Sequence, residues 1–288
     1  MNAVISPAAV DSAGIDTDTP PASGRAGGAR RHASAWLAQG LSVAGFVLLW
    51  HALAATHARL GLVTFENVPT PLAALEAGRE LVAGGKLGRH LGYSLWRVAA
   101  GFLAAAAAGI GLGLLIGRFA SVRRALLPPL ELMRPVPAVA WIPLAILMFP
   151  SGELSMVFIT FVGALFPVLL NTIHGVEGVD RRLIAAARSL GTGRWQMFVQ
   201  VIVPAALPSI ATGLAIGMGT CWFCLVSAEM ISGQFGIGYY TWESYTLQNY
   251  GGIIVGMLAI GLLGMGSSAL IRLAARAAMP WTAMEASR

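Results

Sequence analysis

Few side chains in this sequence could make or break bonds, and their placement argues against it. Cys221 and Cys224 form a C-x-x-C inside one apolar run. With no second cysteine pair and no nearby histidine, they read as small packing residues, not as a redox or metal site. His51 alone of the histidines lies well inside an apolar run; His57, His90 and His174 sit near ends and His32 in the N-terminal stretch, so none are matched in depth to hold haem. No acid pair sits mid-run for a proton relay. No G-x-x-x-x-G-K-[ST] is present to cradle nucleotide phosphates. The chemistry that remains is recognition. Residues 180–204, DRRLIAAARSLGTGRWQMFVQVIVP, carry Arg181, Arg182, Arg188 and Arg194 and break once at Gly191.

The elements around that stretch are apolar and long. Hydrophobic residues are 56% of the chain and charged residues 11%, with mean hydropathy +0.71, against about 25% charged in soluble domains. Six runs are long enough to cross a core of about 30 Å at about 1.5 Å per residue. They fall at 36–55, 94–117, 126–149, 154–173, 205–229 and 251–271. Six of the fifteen prolines (Pro128, Pro129, Pro135, Pro137, Pro143 and Pro150) lie in or beside the third run. That leaves two readings open for it, a Pro-kinked helix or an interrupted one. Residues 1–34 have almost no large apolar groups and are expected to stay unfolded, with 35–288 as the membrane domain.

Charge placement predicts orientation. The net charge of +6 gathers in arginine clusters at run ends, a topology signal and not a nucleic-acid surface. With both termini inside, fourteen of the nineteen Lys and Arg fall on inner segments, from Arg25, Arg30 and Arg31 through to Arg272, Arg276 and Arg288. The small residues Gly101, Ala105, Gly109, Gly113 and Gly117 make a ridge along the second run that lets another helix approach closely. Glu229 ends the fifth run, where a carboxylate opposes the helix dipole and needs a partner; Arg97, at similar depth, is the candidate.

The 180–204 stretch has its own helical logic. Asp180 can cap a helix through Leu190, Gly191 can end it with a left-handed backbone, and Thr192 or Gly193 can start a second helix. Pro204 then marks the passage into the fifth run. The residues alone leave open whether this knob enters a soluble partner or rests on lipid headgroups through Trp195 and its arginines.

Ala185-Ala186-Ala187, Gly191 and Val201-Ile202-Val203-Pro204 resemble the EAA loop of ABC importer permeases, E-A-A-x3-G-x9-I-x-L-P. SLWRVAAGF at 94–102, Met133–Ile146, GELSMVFITFVGALFPVLLNTI at 152–173 and the stretch around the loop are similar to the nitrate/sulfonate/taurine/bicarbonate branch of that family. The resemblance covers roughly residues 84–275 and departs at one letter, Ala185 standing where the motif has glutamate. It implies an all-α integral membrane fold, a six-helix bundle like those of type I ABC importers with cytoplasmic coupling helices. It further implies a bacterial inner-membrane subunit, not an enzyme, that imports a small oxyanion or sulfonate. Ala185, Ala186, Ala187, Arg188, Gly191, Arg194 and Pro204 would then couple to a cytoplasmic ATPase dimer, which binds ATP and Mg; this chain would hold no cofactor. A periplasmic or lipid-anchored solute-binding protein and a second permease copy are the other implied partners. Pro135, Trp141, Thr220, Ser227 and Glu229 are candidates for lining the path, with Trp222 beside them. A carrier or channel independent of ATP is the competing class, and it leaves the 180–204 knob unexplained.

Overall fold

A computed structural model describes residues 24–281, with side chains from Leu37 onward. Residues 1–23 of the expected unfolded tail, and Arg288 of the basic count, lie outside the described residues. The elements run α1 (Gly24–Ala55), a short hairpin β1 (Arg59–Leu60) and β2 (Val63–Thr64), α2 (Pro71–Ala83), α3 (Lys86–Arg118), α4 (Ala120–Met133) and α5 (Ile142–Met148). They continue with α6 (Gly152–Glu177), α7 (Arg181–Ser189), α8 (Arg194–Gln196), α9 (Val203–Ser232), α10 (Ile237–Thr246) and α11 (Tyr250–Ala278). α1 therefore begins at Gly24, inside the stretch expected to be unfolded; its Ala and Arg residues favour helix.

Local sequence explains where the helices start. Thr70 Oγ1 accepts from Ala73 N–H at 3.3 Å, and Pro71 opens α2 where no N–H is needed. Ser151 Oγ caps α6 through Leu154 N–H at 3.4 Å, and Asn249 Oδ1 caps α11 through Gly252 N–H at 2.9 Å.

Five helical stretches are long and apolar enough to cross a bilayer: Leu37–Ala55, Lys86–Arg118, Gly152–Glu177, Arg194–Ser232 and Tyr250–Ala278. Their order in space follows from the small-residue ridge. A Cβ built at Gly101 would meet Thr160, at Gly109 Val168, at Gly113 Thr172 and at Gly117 Val176, so α3 and α6 lie side by side and parallel. α9 runs antiparallel to α6, with Gly163 against Thr220 and Cys224 and Gly175 against Ala206 and Ser209. α11 runs antiparallel to α9, Trp222 Nε1 donating to Ser267 Oγ at 2.8 Å while Leu207 and Ile210 share a recess with Ile271 and Ala274.

Two parallel neighbours oblige the chain between them to recross the same thickness. α4 starts where α3 and α6 both end, with Arg123 ion-paired to Glu177. At the other end, Ala145 O in α5 accepts the Ser155 hydroxyl near the start of α6 at 3.0 Å. The α4–α5 pair, bent by 86° at residues 134–137, is thus one broken crossing and not a re-entrant loop. The count is six. Of the two readings open for the third run, the interrupted one holds: α4 absorbs Pro128 and Pro129 but stops at Met133, just before Pro135 and Pro137 withdraw two further helix donors.

The core lies between α3, α5, α6 and α9, where Phe102, Ile142, Ile159, Trp222 and Leu225 cluster; Cys221 and Cys224 are buried free thiols packed in the same place. Tight approach along the ridge makes a sharp prediction. A Cβ at Gly113 would sit 2.5 Å from Thr172 Cβ, whereas nothing lies within 4 Å of one at Gly111. Gly113→Ala is expected to destabilise the detergent-solubilised chain by about 1–3 kcal/mol through overpacking. Gly111→Ala is expected to match or exceed wild type in thermal denaturation, because alanine is the better helix former.

Candidate functional site

Two polar constellations sit at opposite ends of the bundle. The first is buried. Arg97 and Glu229 are both fully shielded and pair at 2.8 Å between Nη1 and Oε1, as their depth in the sequence suggested. The Arg97 guanidinium spends its remaining donors on Glu153, through Nε at 2.8 Å and Nη2, and on Phe235 O at 2.6 Å. Glu229 accepts from Ser94 Oγ at 2.8 Å and from Gly238 N–H at 2.9 Å; Ser94 Oγ in turn accepts from Ile237 N–H at 2.9 Å. His90 Nδ1 lies 3.0 Å from Gly236 O and 3.2 Å from Gly236 N, serving one or the other by tautomer. Gly236 has φ +128°, and a Cβ there would come within 2.3 Å of the Glu229 carboxyl, so the loop closes over the acid only as glycine. The result is a satisfied latch that ties α3, α6, α9, the 233–236 loop and the start of α10 together. A buried pair survives only with such complete hydrogen bonding.

Ser94, His90 and Glu153 were not picked out from the sequence. The signal was there: His90, Ser94, Arg97 and Gly101 recur at helical spacing on the same buried face of α3.

The second constellation is exposed. Asp180 Oδ1 caps α7 through Arg182 N–H at 2.8 Å. Gly191, at φ +78°, closes the helix: Thr192 N–H donates to Ala187 O at 3.2 Å and Gly191 N–H to Arg188 O at 3.0 Å. Gly193 N–H meets Gln196 Oε1 at 3.4 Å as the next helix starts. That helix is not a separate short piece. α8 passes through a wide π turn at Met197–Ile202 into α9, so one helical stretch runs from Arg194 to Ser232. Pro204 and Pro208 remove helix donors just beyond, which the wider turn accommodates. Ile184 and Ala187 pack toward Val176, Met197 and Ile202, while Ala185, Ala186, Arg188 and Arg194 are exposed. Ala185, Ala186, Ala187, Arg188, Gly191 and Arg194 thus form one elbow, and Pro204 lies above it at the root of α9.

The path candidates do not gather in the same way. Glu229 belongs to the latch. Thr220 Oγ1 donates to Gly163 O across the α6–α9 contact at 2.8 Å, and Ser227 Oγ to Phe223 O of its own helix at 3.0 Å. Trp222 is buried against Ser267, Trp141 is half-buried at the end of a short helical turn (Ala138–Trp141) leading into α5, and Pro135 is exposed at the break.

Residues 109–283 match the family described as binding-protein-dependent transport system inner membrane component. A Bacillus subtilis protein named as an aliphatic sulfonates transport permease is 33% identical over 246 residues, spanning 85% of this chain and 88% of its own length. A Synechocystis protein named as a nitrate import permease is 36% identical over 208 residues, 69% of this chain and 76% of its own. A Methanocaldococcus jannaschii protein named as an ABC transporter permease is 45% identical over 173 residues, 60% of this chain and 65% of that protein. With up to six apolar crossings and a family match over more than half its length, this chain belongs to the inner-membrane permease family of binding-protein-dependent ABC transporters.

Proposed function

We propose that this chain is the permease subunit of an ATP-driven importer for a small oxyanion or sulfonate, with residues 35–288 as the working domain and the α7–Gly191–α8 elbow as the point where a separate ATPase pushes. The observation that carries this reading is mechanical. The elbow is continuous with a helical stretch of 39 residues, Arg194–Ser232, about 58 Å long at about 1.5 Å per residue. Its far end holds Glu229 in the latch with α3 and α6. A displacement at the elbow therefore reaches the opposite side of the membrane through one helix locked to two neighbours. ATP and Mg would be bound by the ATPase dimer and not by this chain. A second permease copy would complete the path, and a binding protein would deliver the substrate at the latch side. The bias of Lys and Arg supports a cytoplasmic elbow and cytoplasmic termini, with the subunit in the inner membrane. The substrate class rests on relatives named for nitrate and sulfonates.

The test is reconstitution in proteoliposomes. The chain alone should neither hydrolyse ATP nor accumulate nitrate or an alkanesulfonate; addition of its ATPase and binding protein should give ATP-dependent uptake of one of them. Robust uptake by the lone chain would make it a carrier or channel and overturn the reading.

A further inference from the structure

Between the elbow and the inner end of α3 lies a cleft of about 940 Å³; it shares Arg188 and Arg194 with the elbow, but the coupling account gives no role to the recess itself or to Arg118. Its walls divide in two. Arg118, Arg188 and Arg194 supply positive charge, and Leu115, Phe119 and Phe198 an apolar side, with Trp195 at the rim. No carboxylate lines it. Among the described residues the ion pairs run Arg59–Glu66, Arg97–Glu153, Arg97–Glu229 and Arg123–Glu177, so none of the three cleft arginines has an acidic partner; Arg118 lies only over its neighbour Phe119. Three uncompensated guanidiniums around one recess call for an anion, and the planar guanidinium fork fits phosphate oxygens best.

Depth decides which anion. Arg118 is twenty-one residues along α3 from Arg97, about 32 Å at about 1.5 Å per residue, which matches the thickness of the hydrocarbon core. With the latch at one boundary, Arg118 falls at the other, among lipid headgroups. Trp195, 74% exposed, stands at the same cleft, and tryptophan concentrates at that boundary. A soluble phosphate would have no use for the apolar wall, whereas the glycerol and upper acyl chain of a lipid would cover it.

We propose that this cleft seats one anionic phospholipid, its phosphate held by Arg118, Arg188 and Arg194 and its acyl root lying on Leu115, Phe119 and Phe198. Basic pockets at the cytoplasmic ends of membrane helices take acidic headgroups in this way. A lipid so placed bridges the end of α3 and the elbow, and therefore restrains the segment on which the ATPase reading relies. The binding itself needs no ATPase, so its test stands or falls separately from that reading.

The experiment is native mass spectrometry of the detergent-purified full chain, titrated with phosphatidylglycerol and, separately, phosphatidylcholine. One phosphatidylglycerol per chain should be retained with a preference of at least about tenfold. Arg118→Gln/Arg194→Gln should lose that preference, Arg118→Lys/Arg194→Lys should keep part of it, and Arg272→Gln/Arg276→Gln at the end of α11 should leave it intact. Size-exclusion profiles verify that each variant is folded. Equal retention of the two lipids, or equal loss in the α11 control, would overturn the proposal. So would binding of glycerol phosphate as tight as that of the lipid, which would assign the cleft to a soluble anion, or expulsion of the lipid by added ATPase, which would assign it to the protein interface.

Discussion

Arg97→Met is expected to destabilise the chain by about 3–5 kcal/mol, because it leaves the Glu229 carboxylate buried and unpaired. The arginine is fully shielded and holds two acids and the Phe235 carbonyl at once, so its loss cuts the charged tie of α3 to α6, α9 and the 233–236 loop. Glu229→Gln should cost less, since Arg97 keeps Glu153 and the amide can still accept from Ser94 or Gly238. The double variant Arg97→Met/Glu229→Leu should recover part of the loss, as apolar replacement of a buried pair commonly does. Thermal denaturation of the detergent-solubilised chain, followed by size exclusion, reads all three. A melting profile for Arg97→Met indistinguishable from wild type would show that the latch carries no stability.

How much of this was readable beforehand differs between the two ends. The elbow is local: Asp180, Gly191 and Pro204 act on backbone within a few residues, so cap, left-handed closure and helix root were legible from residue types. What was not legible there is that α8 merges with α9, because a π turn across Met197–Ile202 depends on how prolines at 204 and 208 are accommodated. The latch is the reverse case. The Arg97–Glu229 pair could be inferred from depth, but Glu153, Ser94 and Gly236 come from segments up to 142 positions away and meet only once α3, α6 and α9 pack. The third crossing was ambiguous for a related reason. Proline content announced a break, while its angle of 86° and its status as a full crossing follow from the parallel packing of α3 and α6. Path-lining residues were the least legible. A hydroxyl such as Thr220 or Ser227 has the same sequence signature whether it faces a path or packs inside, and the bonds to helix carbonyls that both make here fit either role.

Gly191→Val is expected to weaken productive association with the ATPase by about tenfold or more while leaving the six crossings inserted. Nothing lies within 4 Å of a Cβ at this position, so the side chain meets no obstacle. The objection is the backbone alone, at φ +78°, where a β-branched residue costs of order 1–3 kcal/mol. The elbow would relieve that strain by reopening the Ala187–Thr192 closure, which swings α7 relative to α8. Co-purification of the ATPase should fall by about tenfold or more, the factor that about 1.4 kcal/mol represents. Gly191→Asn, which tolerates a left-handed backbone, should restore most of it. Arg79→Ala, at the opposite end of the bundle on α2, should behave as wild type.

Contact between the elbow and the ATPase can be read directly by placing a photo-crosslinking residue at Ala186 in the assembled complex. Ala186 is exposed on the side of α7 away from the Ile184–Ala187 packing. The account predicts an adduct with the ATPase from position 186, a yield that changes between nucleotide-free and ATP-bound states, and no ATPase adduct from Thr246 in α10 at the latch end. Adducts from position 186 to lipid alone, in every nucleotide state, would contradict it and make the elbow a surface helix resting on the membrane.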